Sequence, residues 1–243
     1  MLLPFPEPRP ALQIRSSRRS GSATERSHGS HALDISEAGR LPLRLSKTLT
    51  PRMMLLYNDR GEGALKNAEI AMAASELLRG AGVLITPEEQ QRMEVADFGL
   101  GELAKTGLQI LTYVNTERVC AKELIMIPGQ TCPEHWHPTI GGVPGKEETF
   151  RCRWGSVSLY VPGEQTGAPR CRPPAGSEAY YTVGHEIHLE PGQQYTIFPD
   201  TPHWFQAGPR GAIVSEFSTR STDEADVFRD PRIRRMAGLG VES

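Results

Sequence analysis

A mainly β chain, an antiparallel sandwich or barrel entered through helices, is the fold class the sequence predicts. Three observations point to it. From Asp97 onward, short apolar or alternating runs recur, broken by Gly, Pro and Asp, the pattern of antiparallel strands. Ahead of Asp97 the apolar residues recur at helical spacing instead. At 243 residues with 38% apolar side chains, the chain is long enough for one domain with a substantial core.

In order, residues 1–35 are rich in Pro, Arg, Ser and Gly without sustained periodicity and are expected to be a disordered tail. Glu7, Glu25 and four early prolines argue against an amphipathic presequence, and an upstream-assigned start, with Met53 or Met54 as the natural one, is the mundane alternative. His28 and His31 belong to this tail and are expected to be inert. Residues 36–98 are expected as a helical segment packed on the barrel. Within it, Lys66 to Arg79 reads as a helix stopped by Gly80-Ala-Gly82. Thr86-Pro-Glu-Glu is a helix N-terminus, with Thr86 as cap and acids at the positive end; that second helix is expected to reach about Val95. The barrel is expected over 99–230. Its strands read as Gly107–Asn115, Glu117–Ile127, Thr149–Arg153, Ser156–Tyr160, Ala179–Val183, His185–Leu189, Gln194–Phe198 and Gly211–Phe217. Pro162 to Gly176 is a loop, Thr222 to Phe228 a short helix or lid, and 231–243 a C-terminal tail.

Composition excludes several functions. A net charge of −2 gives no general pull toward nucleic acid or anionic membrane, and no apolar run reaches membrane-spanning length. The four cysteines, at 120, 132, 152 and 171, form no C-x-x-C pair, so neither a zinc knuckle nor a dithiol redox motif is indicated. Reduced thiols in a cytoplasmic protein are the plain reading, and Cys132 is assigned to packing.

The chemistry lies in Gly129-Gln-Thr-Cys-Pro-Glu-His135-Trp-His137. Five of the seven histidines fall between 135 and 203. In a strand, His-x-His puts both imidazoles on one face. The run Glu190 to Phe198, followed by Pro-Asp-Thr-Pro-His203, is placed to bring a third imidazole from a neighbouring strand. Three imidazoles and the carboxylate of Glu148 would suit a first-row divalent ion with open positions: Mn²⁺, Fe²⁺, Co²⁺, Ni²⁺ or Zn²⁺. His185 and His188, three apart, fall on opposite strand faces, and the metal needs neither. Trp136, Trp204, Phe150 and Tyr195 read mostly as core, with a sugar-facing wall as the alternative.

These residues resemble the cupin superfamily. Its first motif is matched by Gly129, His135, His137, Glu148 and Gly155, except that ten residues, not three or four, precede Glu148. In the second, Gly192 and His203 keep register while Phe198, Asp200 and Ala207 replace its Pro, Gly and Asn. The long gap, with Lys146-Glu-Glu148 and Val214-Ser-Glu-Phe-Ser-Thr219, resembles the D-lyxose isomerase branch over about Asp97 to Asp230. That resemblance implies a double-stranded β-helix (jelly-roll) barrel with N-terminal helices. It also implies a divalent metal, Mn²⁺ first, on His135, His137, Glu148 and His203, and a homodimer acting on a small sugar. The implied activity is aldose–ketose isomerisation of D-lyxose to D-xylulose, or of D-mannose to D-fructose, by proton transfer through an enediol. It implies Glu216 as catalytic base, Asp226, or less well Asp223, as a second acid–base group, and Lys146 as the cation directed at substrate oxygen. The bland readings are an ion pair for Glu216, a helix cap for Asp226 and a solvated loop residue for Lys146.

Fold alone does not choose among cupin reactions. A metal-dependent dioxygenase would use the same ligands with an apolar pocket, and a non-catalytic sugar-binding cupin would not need them. A phosphosugar isomerase would need a cationic cradle, for which Arg151, Arg153, Arg170 and Arg172 are the candidates. The polar set Lys146, Glu216 and Asp226 favours a free, polyhydroxylated substrate.

Overall fold

Helical spacing gives way to strand spacing near residue 94. The structure is a computed structural model that describes residues 67–234. The expected tail over 1–35, the stretch 36–66 and residues 235–243 lie outside the described residues. Helix α1 (Asn67–Gly80) buries Ile70, Ala73, Ala74, Leu77 and Leu78, a stripe at three- and four-residue spacing that must face a partner. Gly82, at φ 74°, takes the left-handed turn that ends it. Helix α2 (Pro87–Gln91) opens with a complete capping box, Thr86 and Glu89 each bonding the other's backbone N–H. It stops at Arg92, short of the expected Val95. Glu94-Val-Ala96 instead alternates as strand β1 and pairs with Leu108–Ile110.

The remaining strands are β2 (Leu108–Asn115), β3 (Cys120–Met126), β4 (Thr131–Trp136), β5 (Glu148–Val161), β6 (His185–Leu189), β7 (Gln194–Ile197), β8 (His203–Ser218) and β9 (Val227–Phe228). All pairings between them are antiparallel. The mainly-β expectation with helices ahead of it holds.

Two long strands make the sheet curl on itself. The segments 149–153 and 156–160, expected as separate strands, are one strand, β5, and the expected 211–217 strand is the second half of β8. The Gly-Pro-Arg-Gly run at 208–211 reads as a break in sequence, but it is a bulge. Gly155 pairs with Ala212 and Val157 with Ala207, so β8 carries several extra residues at one level. Such bulges bend a strand and sharpen its twist. Gly155, at φ 71°, is required there, since a Cβ would come within 2.0 Å of the Gly211 carbonyl oxygen. The second half of β8 pairs with β3 and the first half of β5, while its first half pairs with β4 and the second half of β5. The two halves of the curled sheet enclose a core of Leu124, Met126, Phe150, Leu159, Phe205 and Val214. Its outer face, through Leu111, Ile125 and Ile213, packs on α1.

The expected strand over Ala179–Val183 does not form. A 3-10 turn occupies Glu178–Tyr180, and the next backbone amides go to a carboxylate instead of a ladder, as described below. Nor is Thr222–Phe228 a helix or lid alone: a 3-10 turn (Asp223–Ala225) leads into β9, which pairs with β4.

One buried group conflicts with its surroundings. Gln109, fully buried on β2, leaves both its amide oxygen and nitrogen without a hydrogen bond, while its ladder partners are Ile125 and Val95. An unsatisfied buried amide costs about 1–3 kcal/mol. Gln109→Met, which keeps the volume, is expected to stabilise the fold by about 1 kcal/mol, raising Tm by ~2–4 °C. An unchanged or lower Tm would refute that account.

Candidate metal centre

The centre assembles because strand alternation is locally broken in β4. Cys132 and His135 both face the interior although three residues separate them, which strict alternation forbids. The register shifts between them, Cys132 opposing Phe205 and His135 opposing His203, so three steps on β4 match two on β8. His137 follows two residues later on the same side, and His203 and Phe205 alternate inward with Trp204 outward. The imidazoles of His135, His137 and His203 are all buried, their candidate ligand nitrogens within 4.8 Å of one another. Glu148, the first residue of β5, places Oε1 3.3 Å from His137 Nε2 and 3.1 Å from His203 Nε2. The structure thus brings all four sequence-predicted ligands together.

The long gap before Glu148 folds back on the ligands. Asp200, where the superfamily motif has Gly, takes a left-handed φ of 62°, which Asp tolerates better than most residues. Its carboxylate accepts from Thr139 N at 2.7 Å and Thr139 Oγ1 at 2.6 Å, and its own N–H donates to the His137 carbonyl. Further on, a Cβ at Gly145 would lie 2.1 Å from the His137 carbonyl oxygen, so only glycine permits this return.

Each imidazole is oriented from behind. His135 Nδ1 lies 2.8 Å from the Pro133 carbonyl and His203 Nδ1 2.9 Å from the Thr201 carbonyl. A carbonyl can only accept, so both Nδ1 atoms carry the proton and both Nε2 atoms present a lone pair to the centre. His137 Nδ1 lies 2.6 Å from Asp226 Oδ1, the carboxylate–histidine arrangement that stands behind many metal ligands. His203 Nε2 is buried and lacks an aligned hydrogen bond even though Glu148 is near. Orphaned buried nitrogens are rare. Three Nε2 lone pairs and a carboxylate oxygen around one point are a donor set that fits a first-row divalent cation.

Opposite charges surround His137. Burial, then the imidazoles of His203 and His137, hold His135 well below the usual range. Burial and Lys146 also act to lower His137, but Glu148 and Asp226 outweigh them and lift it to about 9. Burial opposes the charge on Glu148 too, yet Lys146 and His137 keep its carboxyl well below the usual range.

Lys146 is no solvated loop residue. It is buried, with Nζ 2.7 Å from Glu148 Oε2 and 3.1 Å from Glu216 Oε1. Burial disfavours its charge, but Glu148 and Glu216 raise its pKa well above the ordinary lysine value. Glu216 faces inward on β8, opposite Phe150 on β5 and Lys122 on β3, and also accepts from Ser218 Oγ at 3.1 Å. A cavity opens onto Lys146, Glu148, Glu216, Asp226 and His135. Asp226, expected as a second acid–base group, lies against a ligand ring. One of its oxygens lies 2.6 Å from His137 Nδ1, a position from which a carboxylate orients that ring.

His185 and His188 stay away from the centre, bonding the Glu164 carbonyl and Ser158. Of the aromatics, Phe150 lines the cavity, Trp204 stacks outward on Tyr160 with ring centroids 3.9 Å apart, and Trp136 lies under Arg229. Sequence reasoning missed two residues here. Lys122, buried on β3, reaches the cavity; the available signal was a lysine in phase with Leu124 and Met126 on one face of the strand.

The other is Glu134, which points away from the centre and holds it shut. Its buried carboxylate accepts from Thr182 N, Thr182 Oγ1, Val183 N and Arg229 Nε. This pins β4 to the 181–184 segment and to β9, whose Phe228 stacks on His135. Glu134→Ala would remove the shared acceptor of the Thr182 and Val183 amides and of Arg229, and a hydrogen bond to a charged group contributes about 1.5–3 kcal/mol. A loss of about 3 kcal/mol is expected, or a fall in Tm of ~6–12 °C by calorimetry; a fall under 2 °C would mean the clamp is dispensable.

Comparison with known proteins accords with this geometry. The D-lyxose isomerase family model matches residues 88–240. A D-lyxose/D-mannose isomerase of Thermosediminibacter oceani is 65% identical over 171 residues, covering 70% of this chain and 94% of that protein. A D-lyxose ketol-isomerase of Cohnella laeviribosi is 63% identical over 162 residues, covering 67% and 89% respectively. Among solved structures, the L-ribose isomerase of Cellulomonas parahominis superposes with a TM-score of 0.58 at 18% identity, covering 69% of this chain and 92% of that one. That likeness speaks for the fold alone.

Proposed function

The chain belongs to the D-lyxose isomerase family, and from that premise we propose a metal-dependent aldose–ketose isomerase acting on free sugars, D-lyxose to D-xylulose and D-mannose to D-fructose. The observation that carries this reading is the buried trio His135, His137 and His203 with Glu148 beside it, opening onto the Lys146–Glu216 pair. His135, His137, His203 and Glu148 would hold the ion, Mn²⁺ by first assignment. A bound ion supplies Lewis acidity at the carbonyl oxygen and a template for two adjacent substrate oxygens.

The chain's own groups move the proton. Glu216 takes the proton from the carbon beside the carbonyl and returns it to the former carbonyl carbon, through an enediol. The hydroxyl proton passes between the two oxygens in the same interconversion, so nothing is gained or lost. The Lys146 ammonium, buried against Glu148 and Glu216, stabilises the charge that gathers on oxygen, a contribution that grows where water is excluded. Asp226 keeps the His137 ring in the tautomer that ligation needs.

The chain carries four free cysteines, which suits a reducing compartment and hence a cytoplasmic site of action. No helix of the described residues is long and apolar enough to cross a membrane. A homodimer is part of the reading, consistent with the exposed apolar Val119 and Phe217, and sedimentation velocity tests it. The function itself is tested by an anaerobic assay of the Mn²⁺-loaded protein with D-lyxose and D-mannose, following ketose. Ketose formed without oxygen is the expected result. Oxygen uptake with no conversion of either sugar would overturn the assignment in favour of a dioxygenase.

A further inference from the structure

We propose that Lys122, carried by Ser221 and Asp223, forms the subsite that binds the substrate hydroxyls remote from the metal and so sets sugar preference. The inference deepens the isomerase reading and rests on it. Lys122 is buried on β3 and faces the interior in register with Glu216 on β8. Both line the same cavity. Its Nζ is held 2.8 Å from Ser221 Oγ and 3.0 and 2.8 Å from the two Asp223 oxygens. Ser221 Oγ in turn donates to Asp223, and the backbone of Ser221 is tied to the Asn115 side chain. The ammonium is thereby fixed in place, not left to swing on its stem.

The rest of the cavity wall explains why this position matters. Beyond Lys146, Glu148, Glu216, Asp226, His135 and the Lys122–Asp223 pair, the lining is largely apolar, with Phe98, Leu108, Ile110, Leu124, Phe205 and Phe228 among it. A sugar placed with two adjacent oxygens at the centre still buries its other hydroxyls. A buried hydroxyl without a partner costs free energy of the same order as a lost hydrogen bond. Among the described residues lining the cavity, Lys122 and Asp223 are the charged pair that the metal centre and the Lys146–Glu216 pair leave over to meet those hydroxyls. The pair is also poorly explained by stability, because a lysine buried against a carboxylate often contributes no more than well-packed apolar side chains would. A site built to hydrogen-bond a hydroxyl rejects the analogue that lacks it far more strongly than an apolar pocket rejects a missing methylene. Epimer and chain-length preference then follow from where the distal hydroxyls fall relative to one fixed ammonium and one fixed carboxylate.

The test compares D-lyxose with lyxose analogues lacking the hydroxyl at C4 or at C5, on the Mn²⁺-loaded full chain. Wild-type protein is expected to lose on the order of 10- to 100-fold in kcat/KM on at least one deoxy sugar. Lys122→Met should raise KM for D-lyxose by about tenfold or more while changing kcat less, and should abolish the discrimination against that deoxy sugar. Ser221→Ala, a smaller change that leaves the ammonium present, should raise KM severalfold and narrow the same discrimination. Calorimetric titration with a sugar alcohol, which binds without turnover, should weaken in parallel. A wild type that treats both deoxy sugars and the parent alike would overturn the proposal whether or not the Met variant folds. So would a Met or Ala variant that keeps the wild-type discrimination. No conversion of D-lyxose or D-mannose by the wild type would instead sink the isomerase reading itself.

Discussion

Replacing His203 with Ala is expected to leave a folded protein that retains no stoichiometric divalent ion after gel filtration and has no measurable isomerase activity. The reason lies in what surrounds that ring. His203 is completely buried, opposes His135 in the ladder and contributes the Nε2 lone pair nearest to Glu148. Its removal leaves two imidazoles and a carboxylate that already answers to Lys146. The loss has a thermal signature independent of turnover. An ion that binds only the folded state at a hundred times its Kd adds about 2.7 kcal/mol. Adding Mn²⁺ to stripped wild type should therefore raise Tm, and adding it to His203→Ala should not. Asp226→Asn, which touches the ion only through His137, should be the milder lesion, with metal affinity down about 10- to 100-fold. Equal Mn²⁺-dependent stabilisation of wild type and His203→Ala would remove His203 from the ligand set and the proposed centre with it.

How much of this was legible in the residues depends on which physical signal each carried. His135 and His137 were readable because their spacing is the strand period itself. The bulge that turns His135 inward after Cys132 was not, since a register shift leaves no composition of its own. The unity of β8 was hidden because Gly208-Pro-Arg-Gly211 has the chemistry of a turn, and only the partner strand decides whether such a run reverses the chain or bends it. Val183 alternates as a strand residue would, but the Glu134 carboxylate competes for its amide and wins. Lys122 carried no motif of its own, and its burial against Ser221 and Asp223 depends on residues about a hundred positions away. Asp226 was found as a candidate, but its contact with a ligand ring was not. Sequence distance from His137 gave no hint that the two side chains meet at 2.6 Å.

Glu216→Gln is expected to lower kcat by ~10²–10⁴-fold, the usual contribution of a positioned base, while leaving Mn²⁺ affinity and KM nearly unchanged. Glutamine keeps the shape and keeps an oxygen for the Lys146 ammonium and the Ser218 hydroxyl, both of which now donate to Oε1. What it cannot do is accept the proton. The variant therefore separates the base from the ion-pair reading of Glu216, because a purely structural Glu216 would lose stability when neutralised, not turnover alone. Calorimetry and initial rates on the same preparation make that distinction. In heavy water the wild type should also exchange deuterium into the ketose at the carbon that receives the proton, to an extent set by how far Glu216 is screened from solvent, and Glu216→Gln should incorporate it no faster than uncatalysed enolisation does. A Glu216→Gln protein with more than a tenth of wild-type kcat would move the proton transfer to another group. Among the described residues lining the cavity, Asp223 is then the carboxylate to test, since Asp226 is engaged behind His137 and Glu148 stands among the ligands.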